Sequence, residues 1–207
     1  MNIKGYLQKP LPYSFFNVTI GLIILNIGLF LLNMLFQNRL NYYFALTPQL
    51  FREGFFWQPI TYMFMHENFT HILFNMLGLF LFGIQLEKRM GSWEFLLYYM
   101  LTGTLTGIVW IFFTSNITVL GASGAIFAVL LAFATFFPDS RILLFYVLPM
   151  RAPIAVLVFA GASLIMQITG SFNGIAHLAH LAGLVFGFLY FLVRFGVNPL
   201  KVFFHKR

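Results

Sequence analysis

The chain contains no cysteine, which excludes disulfides, thiol catalysis and thiolate-ligated metals. Charge is nearly as scarce: 8% of the 207 residues are charged, against about a quarter in soluble domains. The acids are limited to Glu53, Glu67, Glu87, Glu94 and Asp139. What fills the chain instead is hydrocarbon, with 60% hydrophobic and 20% aromatic residues and a mean hydropathy of +0.88. A soluble domain is excluded, and a polytopic membrane protein is expected.

Apolar runs of spanning length, roughly 20 residues, fall at Phe15–Phe36, His71–Leu86, Trp93–Phe113, Ile117–Phe137, Ala152–Ile168 and Ile175–Val193. They predict an all-α protein, a bundle of six transmembrane helices. Arg141–Arg151 encloses an apolar stretch, Ile142–Pro149, too brief to cross, so that piece is expected to lie along the interface. Counting it as a crossing gives a seven-span alternative. No internal repeat or linker marks a second domain, so residues 1–207 read as one transmembrane domain.

The net charge of +7 does not form a nucleic-acid patch, because the basic residues sit at the ends of the runs. They report orientation. With the N-terminus in the cytoplasm, Lys4, Lys9, Lys88, Arg89, Arg141, Arg151, Arg194, Lys201, Lys206 and Arg207 lie inside, and only Arg39 and Arg52 lie outside. The expected setting is a bacterial inner membrane with both termini cytoplasmic. The first run is too long for a signal-peptide core and no small-residue cleavage pattern follows it, so it reads as a retained anchor. The loop Gln37–Gln58 carries Tyr42, Tyr43, Phe44, Phe51, Phe55, Phe56 and Trp57. Without disulfides it must hold by packing, and its aromatics suit the headgroup layer.

Within this hydrocarbon a few polar side chains share one layer. The second, fourth and sixth runs start from the outer face, and each carries its polar residues early. These are His71 and Asn75, then Ser123, then His180. Helical spacing sharpens the picture. His71, Asn75 and Gly78 share a face; so do His180, Gly183 and Gly187, whose glycines have the small-xxx-small spacing that lets helices approach closely. Gly124, Ala128 and Ala132 line up beside Ser123 and Phe127. Ser123 is expected a handful of residues inside its span, on the order of 10 Å below the outer surface.

Serine attacks a carbonyl when a base takes its proton, and histidine is the usual base. No acid lies near Ser123 or His180 in the fourth or sixth run, so a Ser123–His180 dyad without a carboxylate is expected. Phe127, one turn below Ser123, is placed to stack on the imidazole. Asn75, His71 and the backbone N–H of Ser123 form the natural oxyanion donors.

Competing readings are weaker. The stretch is not the soluble-hydrolase elbow, which needs glycine two residues after the serine where this chain has Ala125. A zinc site at His66, Glu67 and His71 fails on spacing, since the histidines are five apart rather than four, roughly 140° around a helix. No metal or cofactor is expected. A transporter or channel would continue its polar residues into the cytoplasmic half, where the sequence is apolar. His177 reads as a headgroup-level residue, with metal ligation or a supporting contact to the site as alternatives.

Taken together these residues resemble the rhomboid intramembrane serine proteases. The family's Gly-x-Ser-Gly motif is matched by Gly121–Gly124, its Ala-His-x-x-Gly-x-x-x-Gly motif by Ala179, His180, Gly183 and Gly187, and its His-x-x-x-Asn motif by His71–Asn75, with a further histidine at His66. Glu87, Arg89 and Gly91 match a signature after the second span. Trp57 matches the tryptophan of a Trp-Arg pair, where this chain continues with Gln58 instead. The resemblance implies the rhomboid-type bundle with a membrane-embedded outer loop. It also implies cleavage of transmembrane protein substrates near the outer face, after a small residue, with lateral access near the second and fifth spans. A catalytically inactive rhomboid-like binder of transmembrane helices is the alternative.

Overall fold

The computed structural model describes residues 8–144, 148–169 and 177–204. Five of its helices are long and apolar enough to cross a membrane. These are α1 (Val18–Leu35), α5 (Phe69–Met90), α6 (Ser92–Phe113), α8 (Ala152–Thr169) and α9 (His177–Phe195). Short helices α2 (Leu40–Phe44), α3 (Pro48–Arg52) and α4 (Gln58–Thr61) build the outer loop, and α10 (Pro199–Phe204) follows the last span.

The fourth apolar run behaves differently from expectation. Its helix α7 covers only Ser123–Phe136, 14 residues, or about 21 Å, short of a hydrocarbon core of about 30 Å. The preceding residues are extended. Val119 exchanges backbone hydrogen bonds of 2.9 Å with Leu46 of the outer loop, and the Gly121 N–H reaches the Tyr62 carbonyl. β-branched Ile117, Thr118 and Val119 followed by Gly121, whose φ is +113°, explain why the helix starts late. Ser123 is therefore the first residue of its helix and not a handful of residues inside it.

Two further boundaries move. Helix α5 runs on to Met90, through Glu87, Lys88 and Arg89, because the charge of Glu87 is satisfied within the fold. The interfacial piece Arg141–Arg151 is an antiparallel hairpin of β1 (Arg141–Leu144) and β2 (Leu148–Arg151), so the fold is helical apart from this pair.

Helix α7 is the axis of the bundle, buried at Gly124, Ala125 and Ala128–Thr135. Its partner α9 runs parallel to it. A β-carbon on Gly183 would sit 2.0 Å from the Gly124 carbonyl oxygen, and one on Gly187 would sit 3.2 Å from Ala128 Cα. Hydrocarbon solvent gives no hydrophobic drive to helix pairing, so such backbone contact supplies the attraction through van der Waals packing. Side-chain hydrogen bonds add to it. The Tyr98 hydroxyl of α6 donates to the Ala128 carbonyl at 2.6 Å, and Tyr62 donates to the Gly103 carbonyl at 2.7 Å.

Two buried carboxylates tie the end of the bundle opposite Ser123. Glu87 accepts the Val18 and Thr19 N–H groups at 2.7 and 2.9 Å and the Ser92 hydroxyl. It thereby caps the N-terminus of α1 from another helix, where negative charge is favoured. Glu94 receives both a fork of Arg194 bonds at 2.8 and 2.9 Å and the Tyr190 hydroxyl from α9, and the Leu11 N–H at 2.8 Å. One carboxylate thus fastens the segment before α1, the start of α6 and the end of α9.

The outer loop hangs on α4. Gln58 is fully buried; its side-chain oxygen accepts the Thr47 N–H at 3.1 Å and its nitrogen faces the Tyr42 and Tyr43 carbonyls at 3.4 Å. Trp57 Nε1 donates to the Tyr43 carbonyl at 2.9 Å. The glutamine therefore fastens the loop where the family pattern has an arginine. Around it the rings of Tyr42, Tyr43, Phe55 and Trp57 pack edge-on, tilted or, for Tyr43 and Phe55, stacked. His66, in the connection to α5, is also buried, and neither ring nitrogen has a partner among the described residues. Burial, with His71 nearby, lowers its pKa to about 3.

Glu94→Gln is expected to destabilise the protein by on the order of 3 kcal/mol, because it removes the buried charge on which the Arg194 fork, the Tyr190 hydroxyl and the Leu11 N–H converge. Thermal unfolding in detergent reads this, and unchanged stability would refute it. For His66 the unfolded chain binds protons more readily than the fold does, so its contribution is complete above about pH 6.5 and declines as pH falls toward 3. His66→Phe should remove that part of the acid slope, up to about 1.4 kcal/mol per pH unit, as measured by denaturation at several pH values.

Candidate active site

The parallel register of α7 and α9 brings the early residues of both helices to one end of the bundle. Gly183 of α9 lies on Gly124 of α7, and Gly124 in turn faces the Ala179 carbonyl and the Thr106 methyl. Ser123 precedes Gly124, and His180 follows Ala179. The contact that joins the helices therefore flanks both side chains.

The His180 ring stacks on Phe127, with centroids 4.2 Å apart and planes 9° from parallel. Phe127 lies one turn along α7 from Ser123, so the imidazole is held flat against the helix that carries the hydroxyl. Phe159 of α8 meets the same phenyl ring edge-on. Ser123, Phe127 and His180 are half-buried, which leaves the cluster partly open. Among the described residues no hydrogen bond joins Ser123 to His180; nucleophile–base bonds are often longer before substrate binds.

His71 and Asn75 enter from α5. Asn68 caps that helix, accepting the His71 N–H at 2.9 Å. The His71 ring then lies over Gly121, where a β-carbon would come within 2.6 Å of Cε1 and Nε2. Gly121 thus has two reasons to lack a side chain, its positive φ and this ring. The buried amide of Asn75 donates to the His71 carbonyl at 3.0 Å, which uses one of its two donor hydrogens. His66 packs edge-on to His71 at 5.2 Å, and His177 edge-on to His180 at 5.9 Å.

Helix α7 supplies one more element. Its first N–H groups, including those of Ser123 and Gly124, have no carbonyl one turn earlier to bond to, so they form a positive helix terminus beside the hydroxyl.

Of the residues singled out in the sequence, Ser123, Phe127, His180, His71, Asn75, His66, Gly121, Gly124 and Gly183 gather here. Gly187 lies one turn deeper against Tyr98 and Ala128, and Trp57 belongs to the loop anchor instead. The sequence reading missed Thr106 and Tyr98, which floor the Gly124 and Gly187 contacts. The spacing of Tyr98, Thr102 and Thr106 along one face of α6 was the available signal. No group of three or more metal-ligating side chains occurs among the described residues.

Comparison with known proteins identifies the family. Residues 53–197 match the Rhomboid domain family. The chain is 36% identical over 140 residues to a putative rhomboid protease, YdcA, of Bacillus subtilis, covering 66% of each protein. It is 29% identical over 187 residues to the mitochondrial RHOMBOID-like protein 12 of Arabidopsis thaliana, covering 81% of this chain and 55% of that one. It is also 29% identical over 144 residues to the rhomboid protease GluP of B. subtilis, covering 70% of this chain and 27% of GluP. The chain thus spans about a quarter to two thirds of the length of these relatives. A family match over most of the chain, with the helices that can span a bilayer and the motifs gathered at one end, establishes that this integral membrane protein belongs to the rhomboid family of membrane serine proteases.

Proposed function

We propose that the chain is an active intramembrane endopeptidase that cleaves transmembrane segments of other membrane proteins with a Ser123–His180 dyad. The observation that carries this reading is the Phe127–His180 stack beside the Gly124–Gly183 contact. It fixes an imidazole, in a layer of apolar helices, next to the helix start that bears the serine.

In the proposed reaction Ser123 Oγ attacks the scissile carbonyl carbon while His180 takes the hydroxyl proton. The carbonyl electrons move to oxygen, and this oxyanion is met by the Ser123 and Gly124 N–H groups, the second Asn75 donor and His71. Collapse breaks the C–N bond, and His180 returns its proton to the leaving amine. A water, deprotonated by His180, then hydrolyses the Ser123 ester and restores the enzyme. No carboxylate orients the imidazole; the phenyl face of Phe127 does so by stacking. No metal or cofactor is needed.

The low position of Ser123 supports cleavage near one membrane face. The non-helical residues 117–122 lead down to a short helix, so water can follow the polar layer from that face. The positive-inside bias makes this the outer face, with both termini cytoplasmic and residues 1–207 forming one domain, in a bacterial inner membrane. Access for substrate is proposed between α5 and α8, the second and fifth spans. The inactive-binder alternative predicts no covalent labelling at all.

Ser123→Ala should lower cleavage of a model transmembrane substrate by at least about 10⁴-fold and abolish labelling by a fluorophosphonate probe, with helicity and thermal unfolding unchanged. Labelling that survives the substitution would reject Ser123 as nucleophile. Asn75→Ala should cost about 10²–10³-fold in kcat, with KM little changed. Gly183→Val, which drives a branched side chain into the Gly124 carbonyl, should lose activity and stability together, whereas Phe127→Tyr should retain most activity because the ring face is kept; the opposite ranking would reject the stacking role.

A further inference from the structure

The hairpin β1–β2 lies outside the site, at the other end of α7 from Ser123, and neither the sequence motifs nor the proposed reaction uses it. Arg141 pairs with Arg151 across its open end, followed by Ile142 with Met150, Leu143 with Pro149 and Leu144 with Leu148. Ile142 turns toward the helices and packs on the core. Leu143 and Leu148 are 56% and 57% exposed. Leu143 shares its face with Arg141 and Arg151, while Leu148 lies on the opposite face with Ile142 and Met150, so leucines stand out on both sides of the end away from the arginines. A lone two-stranded hairpin with leucines in water is marginal, and this apolar end is expected to have a partner.

Chain continuity says where that partner is. Helix α8 starts at Ala152, directly after β2, and α7 ends at Phe136, five residues before β1. Both flanking helices belong to the bundle, so the hairpin sits at the membrane boundary. Depth is bounded on two sides. Among the described residues the outer edges of β1 and β2 have no strand partner, and each unpaired backbone group costs several kcal/mol in hydrocarbon, which keeps the hairpin out of the bilayer core. The exposed leucines keep it out of bulk water.

Charge selects the lipid. Arg141 and Arg151 are exposed at the hairpin's open end, and Lys88 and Arg89 are exposed on the same end of the bundle, with Arg89 over the Phe136 ring at 5.5 Å. Arg151 pairs with Asp139 at 2.7 Å, but both side chains are more than half exposed. Such a surface pair holds weakly and can yield to a phosphate.

We infer that the β1–β2 hairpin is a monotopic membrane anchor, with Leu143 and Leu148 immersed below the headgroups and Arg141 and Arg151 binding acidic phospholipids. Because α8 continues directly from β2, and Ala152, Pro153 and Ala155 at its base are buried, lipid bound there holds the foot of the fifth span. The inference does not depend on proteolytic activity.

The absence of cysteine makes the test direct. A single Leu143→Cys, labelled with an environment-sensitive nitrobenzoxadiazole dye, is reconstituted into phosphatidylcholine vesicles containing phosphatidylglycerol. Expected is a blue-shifted emission quenched by spin-labelled lipid and shielded from aqueous iodide. Spin-labelled phosphatidylglycerol should quench in preference to spin-labelled phosphatidylcholine by about fivefold per arginine, and Arg141→Gln with Arg151→Gln should erase the preference. Arg141→Gln alone and a label at Leu148→Cys serve if the double variant does not fold. Iodide access without lipid quenching would overturn the anchor, and equal quenching by the two lipids would overturn the acidic-headgroup recognition.

Discussion

The structure depends on the contact of two backbones, Gly124 on α7 and Gly183 on α9, at a distance that no β-carbon permits. In water two helices would be pressed together by the burial of apolar surface. Lipid offers no such pressure, because leucine is as content against an acyl chain as against another leucine. Close approach over small residues is what remains, and here it also fixes relative depth. A parallel pair in contact at 124–183 and again at 128–187 cannot slide, so the residue before the first contact on one helix stays level with the residues one turn before it on the other.

Polar groups then do what hydrophobic burial cannot. Each is satisfied across elements distant in sequence: Glu87 by the start of α1, Glu94 by Arg194 and Tyr190, Tyr98 by Ala128, Gln58 by the loop it holds. Unpaired, any of them would be costly at membrane depth. Paired, they specify one arrangement of helices that van der Waals packing alone would leave free to rotate. In this chain the Gln58 amide meets that requirement, accepting the Thr47 N–H and facing the Tyr42 and Tyr43 carbonyls.

The short helix α7 brings these constraints together at the candidate site. Because it begins late, the start of a helix, with its unpaired N–H groups, lies inside the protein, where the Ser123 hydroxyl, the Phe127–His180 stack and the His71 ring over Gly121 converge. A full-length span would have placed its terminus in the headgroups and left Ser123 in mid-helix, where the N–H groups are already bonded.

Composition and period sufficed for the membrane class, the long helices and their polar layer, since a spanning helix must satisfy its own backbone and so writes its length as an apolar run. Small-residue spacing marked the α7–α9 face, and Phe127 was legible as the imidazole's neighbour. The late start of α7 was not, because Ile117–Leu120 is as apolar as any helix and only pairing with Leu46 makes it extended. Nor was the end of α5, since Glu87 reads as an exit from the membrane until α1 supplies its donors. The hairpin likewise appeared only as a stretch too short to cross. Tertiary structure decided these points for one reason: hydropathy records how much a residue dislikes water, whereas an extended segment or a buried charge is fixed by which distant backbone group arrives to bond it.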